Sequence, residues 1–136
     1  MLGCPVFTYF TSEQDPVATW RYMKVLDEIG DFVLGAATTG TSDTTYNSFG
    51  VTNAHAFSII SVFALYNEFG DEQYRLYMVR NPWSNTYYRG DFRSLDSKWT
   101  THYKSQIPYE VDPTTSWQNG IFFIKDTDFH ACFDSF

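Results

Sequence analysis

The chain opens with an apolar run, Pro5-Val6-Phe7-Thr8-Tyr9-Phe10, that reads as a short strand. Ser12 to Asp15 then offers capping side chains, and Pro16 suits the first turn of a helix, where its missing N–H costs nothing. Ala18, Tyr22, Val25, Leu26 and Ile29 recur at helical spacing, and Gly30 follows as a stop, so the pattern predicts a helix over 16–29. Phe32 to Ala37 reads as a second strand, whose small residues Gly35, Ala36 and Ala37 imply a closely packed neighbour. Residues 38–50 are rich in Thr, Ser, Asn, Asp and Gly and read as a loop.

From Val51 the rhythm becomes that of a sheet. His55 to Leu65 and Gln73 to Arg80 are strand-like, and the turn between them, Asn67 to Glu72, holds Gly70 and Asp71. Two such runs joined by a short polar turn predict an antiparallel hairpin. Residues 81–98 are irregular, and 99–118 read as a long connection with a helical turn, carrying Pro108 and Pro113. Gly120 to Ile124 is a last strong strand. Asp126-Thr127-Asp128-Phe129 turns into a short capped helix or a final strand. The expected fold is a single domain over 1–136, mainly β (α+β), a small antiparallel barrel or half-barrel with one N-terminal helix.

Composition supports a globular chain. With 136 residues, 43% of them hydrophobic, it can bury a real core, roughly two thirds of its unfolded surface. The 13 Phe, 10 Tyr and 4 Trp suit half-buried pleated surfaces, and they favour one face packing against something else. A net charge of −7 argues against nucleic acid and against anionic membranes. No apolar run is long enough to cross a bilayer, and the start lacks the regions of a secretory signal. Cys4 and Cys132 are expected as free thiols in a reducing compartment, a pairing of the two being possible but not favoured, and with no second Cys pair they are not expected to form a metal site.

Acid–base candidates are His55, His102 and His130. His55 stands out by position, at the start of a strand just after a polar loop and flanked by the small residues Ala54 and Ala56. Asn81 lies at the exit of the second hairpin strand, where Pro82 ends the ladder. A hairpin brings the start of one strand beside the end of the next, so His55 and Asn81, 26 positions apart, are expected to be neighbours. A carboxamide can accept an imidazole N–H, fix the ring and leave its other nitrogen for a thiol, and Trp83 could shield the pair from water. On pattern alone the plainer reading stays open, with Asn81-Pro82 a turn starter and Trp83 a core filler. The remaining groups read as structural: Asp27, Glu28 and Asp31 as a solvated helix end, Asp126 and Asp128 as turn caps, His102 and His130 as surface residues.

At these residues the chain resembles the calpain family of cysteine proteases. Asn53-Ala54-His55-Ala56-Phe57-Ser58 is similar to the family's Gly-His-Ala-Tyr-Ser block, and Arg80-Asn81-Pro82-Trp83 to its Arg-Asn-Pro-Trp-Gly block. Further matches are Gly3-Cys4-Pro5, the helix leading to Val33-Leu34, Arg89-Gly90 closing at Trp99, and Asn119 to Phe123 followed by Asp126 to Phe129. The resemblance implies the second subdomain of a papain-like fold. His55 would be the general base, Asn81 the residue orienting it, and Trp83 the indole beside them that governs cleft closure. It also implies partners: a first subdomain carrying the nucleophilic Cys and the oxyanion-hole Gln, and a protein substrate. That first subdomain is not within 1–136, and neither Cys4 nor Cys132 lies in a nucleophile motif, so the chain alone is expected not to hydrolyse peptides. It reads as the His/Asn half of a cytoplasmic endopeptidase; the alternative is a non-catalytic module used for protein association.

The chain departs from the family's pattern in places. Ser84 follows Trp83 where the family has Gly, and Ala54 precedes His55 where Gly is common. Classical calpains bind calcium in this subdomain through acidic side chains and one carbonyl on two facing loops. The matching positions here are Tyr87, Ser94, Asn119 and Ile121, with the carbonyl at Trp117. Calcium takes about six to eight oxygens, with charge setting affinity, so this site is expected to be absent or very weak and any calcium control to lie elsewhere in the parent protein. No other cofactor is implied.

Overall fold

The computed structural model describes residues 7–42, 45–81 and 88–136. The start of the expected first strand with Cys4, and the segment Pro82 to Tyr87 with Trp83, lie outside the described residues.

Helix α1 spans Pro16–Ile29, as the capping pattern predicts. The Asp15 carboxylate accepts the Ala18 N–H at 2.9 Å, Pro16 occupies the first turn, and Gly30 closes the helix in the left-handed conformation at φ 81° with its N–H on the Leu26 carbonyl. The face that it buries is not the expected stripe. Tyr22, Val25 and Ile29 are exposed, whereas Thr19, Trp20 and Met23 are buried. Trp20 decides the rotation: its ring is fully buried and its indole N–H donates to the Leu76 carbonyl at 3.0 Å, so one residue supplies both the apolar area and a polar anchor.

Strands β1 (Leu34–Ala37), β2 (Ala56–Tyr66), β3 (Glu72–Arg80) and β4 (Ile121–Lys125) form one antiparallel sheet in the order β1-β2-β3-β4. The sheet is open, the half-barrel form of the expectation. β1 starts two residues later than the pattern predicts, and Phe32 and Val33 are exposed. The small residues of β1 do mark a close approach: a Cβ on Gly35 would sit 3.2 Å from the Phe57 carbonyl oxygen. Among its described residues, the first apolar run makes a bridge from Phe10 to Ser135, flanked by two 3.0 Å bonds between Tyr9 and Phe136. The long connection holds α2 (Thr101–Lys104), and β4 runs into α3 (Asp126–Cys132), which settles the last segment as a helix.

Both sheet faces are covered. Trp20 and Met23 of α1 and Phe129 of α3 pack with Tyr77, Val79, Phe122 and Ile124 on one face. Phe92, Trp99 and Ile107 pack with Leu76, Met78 and Phe123 on the other. β2 contributes Phe57 and Ile59, then Val62 and Ala64, to the same face. Strict alternation cannot do this, and a bulge between Ile59 and Ser61 shifts the parity by one. The Asp27 carboxylate from α1 accepts the Val62 N–H at 3.1 Å, with Ser61 Oγ at 3.5 Å. Asp27 is therefore not part of a merely solvated helix end; it joins the helix to the bulge.

Candidate functional site

The β2–β3 register starts at Ser58↔Arg80 and runs to Tyr66↔Glu72. His55, one residue before β2, and Asn81, one residue after β3, therefore lie at the same end of two adjoining strands. β4 begins at that end as well, with Ile121 opposite Arg80. The Asn81 N–H continues the ladder to the Gly120 carbonyl at 2.8 Å, and Asn81 is only 7% exposed. Gly120 adopts φ 76°, which lets the chain turn sharply into β4 at this point.

The backbone of His55 is held from the end of β1. The Thr38 N–H donates to the His55 carbonyl at 3.0 Å, and the His55 N–H donates to Thr38 Oγ1 at 3.2 Å. That hydroxyl donates in turn to the Thr52 carbonyl at 2.6 Å. Ala54 adopts φ 50°, and its N–H reaches the Thr39 carbonyl at 3.2 Å. The left-handed backbone gives a physical reason for the family's Gly here, since a Cβ in that region is strained. The His55 imidazole is half-buried and meets Phe57 edge to face, with ring centroids 5.2 Å apart and planes at 88°. Phe57 is buried against Phe122 and Phe133, so a rigid core residue backs the ring.

The other two histidines lie elsewhere. His102 is exposed on α2, its Nε2 3.0 Å from the Tyr66 carbonyl. His130 on α3 is not a plain surface residue. Its Nε2 sits 3.1 Å from the Gln14 carbonyl and 3.5 Å from Thr19 Oγ1, tying α3 to α1, and burial holds its pKa below the ordinary value. Asp126 does more than cap: buried at the start of α3, it accepts Arg75 Nε at 2.6 Å. Cys132 is free and 4% exposed, and burial pushes its thiol up to about 12, the opposite of an activated nucleophile.

Of the positions matched to the family's calcium loops, Tyr87 lies outside the described residues. Ser94, Trp117 and Ile121 line a cleft of about 340 Å³ whose wall includes Phe92 and Phe123. The Trp117 carbonyl already accepts the Gly120 N–H at 3.0 Å, and the Ile121 carbonyl accepts Ser116 Oγ at 3.0 Å. The nearby carboxylates are engaged by lysines. Asp91 takes Lys125 Nζ at 2.7 Å and Lys98 Nζ at 3.5 Å, and the Lys125 bond holds its carboxyl below the ordinary range. Asp96 is buried and accepts the Phe92 and Lys98 N–H groups at 2.7 and 3.0 Å. Among the described residues, the groups here are largely aromatic or neutral, and the acids lie against ammonium groups.

Sequence reasoning missed Thr38 and Asp27. Thr38 gave no signal beyond lying at the border of a polar loop, and a single Thr in such a loop is unremarkable until a second segment is seen to depend on it.

Comparison with known proteins adds an independent line. Residues 2–136 match the family model described as calpain family cysteine protease. Over 105 residues the chain is 29% identical to the calpain-type cysteine proteases ADL1 of Oryza sativa subsp. japonica and DEK1 of Zea mays, and equally to DEK1 of Arabidopsis thaliana. Those alignments cover 76% of this chain but 4% of each relative, so the chain spans a small part of the proteins that it matches. Because the family match takes in both strand ends and the entire sheet that carries them, the chain belongs to the calpain family of cysteine proteases.

Proposed function

We propose that this chain is the His/Asn half of a calpain-like cysteine endopeptidase. The observation that carries the reading is the β2–β3 register, which leaves His55 and Asn81 at one end of adjoining strands. In the proposed mechanism a Cys on a separate first subdomain yields its thiol proton to His55. The thiolate attacks the scissile carbonyl carbon, and the imidazolium returns the proton to the departing amine. Water, deprotonated by the same imidazole, then hydrolyses the thioester. Asn81 accepts the other ring N–H and keeps the ring aimed at the cleft, and Trp83 shields the pair. The chain alone is inactive on this reading, since Cys132 is buried with a raised pKa and outside any nucleophile position. Calcium control of the parent, where present, acts through another site, because the lysine-paired acids and aromatic cleft replace the charge that a calcium ion requires.

The test is casein cleavage by the intact parent protein. His55→Ala should reduce it to background, and unchanged cleavage would reject the assignment. One observation favours the alternative of an association module: Tyr22, Val25, Ile29, Phe32 and Val33 are exposed on and just after α1. A parent sequence with no Gln followed by a Cys-bearing segment would favour that reading.

A further inference from the structure

We infer that Thr38 is a positioning residue for the His55 imidazole, holding it through the backbone from the end of β1. The inference rests on His55 being the general base and concerns how the ring is kept on target. Two torsions connect the His55 backbone to its ring, so the direction of the ring follows from the orientation of the 54–56 backbone. Residues 54 and 55 are outside the regular ladder: β1 pairs only as far as Ala37↔Ala56, and Ala54 is left-handed. Thr38 takes over where the ladder ends. It donates its N–H to the His55 carbonyl at 3.0 Å and accepts the His55 N–H on its hydroxyl at 3.2 Å.

The hydroxyl has one proton, and the 2.6 Å contact to the Thr52 carbonyl claims it in preference to the 3.4 Å contact to the His55 carbonyl. Thr38 therefore passes a hydrogen bond between the two sides of the loop that delivers His55. It is 6% exposed, so water does not substitute for the hydroxyl. Valine would fill the same volume while stranding the His55 N–H and the Thr52 carbonyl, and groups so stranded drive the backbone to turn away.

The test reads the ring directly, by NMR of this chain. Phe57, edge-on at 5.2 Å, imposes a ring-current shift on the His55 imidazole protons that reports their direction. Thr38→Val should move those resonances and speed His55 amide exchange about tenfold, with Leu76 to Val79 amides unchanged. Thr38→Ser, which keeps the hydroxyl, should retain both signals. Should the valine variant not fold, Thr38→Ala reads the same signals without placing a methyl against the His55 amide. Unmoved imidazole resonances in either folded variant overturn the inference. So does rapid exchange of the His55 amide in the unsubstituted chain, relative to the amides of β1. A ring that follows Thr38 while His55→Ala still cleaves casein upholds the positioning and rejects His55 as base. An indifferent ring with an inactive His55→Ala does the reverse.

Discussion

Removing the Asp27 carboxylate should destabilise the domain far more than a surface substitution does. The bulge between Ile59 and Ser61 returns Val62 to the same face as Phe57 and Ile59, and Asp27 meets the backbone just beyond it. Val62 is 4% exposed, and its N–H donates to Asp27 at 3.1 Å. Asp27→Ala leaves that donor buried without its acceptor. A hydrogen bond to a charged group contributes about 1.5–3 kcal/mol, so about 2 kcal/mol is the expected loss for this half-exposed carboxylate. At about 2.1 cal/mol/K of unfolding entropy per residue, a chain of 136 residues should melt about 7 °C lower. Asp27→Asn keeps a side-chain oxygen and should lose less than about 1 kcal/mol, or roughly 3 °C. Thermal melts by circular dichroism, paired with exchange of the Val62 amide, measure both. A melt of Asp27→Ala within a degree of the parent chain, with the Val62 amide still protected, would refute the account of the bulge.

Ala54→Gly should raise stability, because relief of about 1–2 kcal/mol of left-handed strain outweighs the added freedom of glycine in the unfolded chain, about 0.4–1 kcal/mol. A denaturant midpoint that falls instead would show that Ala54 is unstrained at φ 50°. Calcium added at millimolar concentration should leave the melting temperature of this chain unmoved, since the loop acids are paired with Lys98 and Lys125. A concentration-dependent rise would show a site that the donor set does not reveal.

The elements that local chemistry fixes were readable in advance. Asp15, Pro16 and Gly30 delimit α1 without tertiary help, and the turn at Asn67 to Asp71 sets the hairpin that brings His55 and Asn81 to one end. What stayed hidden depends on a second partner. The rotation of α1 follows from a carbonyl on β3 that receives the Trp20 indole, so a count of apolar spacing selected the Tyr22–Ile29 face instead. Asp27 looked solvated because its acceptor role exists only once β2 bulges. Parity along β2 gave no warning either: residues 62–65 are buried on both faces, and a continuous apolar run carries no phase. Thr38 was invisible for the same reason, as both groups that it serves sit at least 14 residues away.

The paired bonds between Tyr9 and Phe136 bring the two extremities of the described chain side by side. Those bonds close the described segment from residue 9 to residue 136 into a loop. A chain running from Phe7 to Phe136, with these two residues joined by a brief glycine-serine bridge and new ends opened at the exposed Phe69–Gly70 corner, should yield a circularly permuted protein with the same sheet. The same geometry lets the domain be spliced into a surface loop of an unrelated host, whose backbone would enter and leave it at a single doorway.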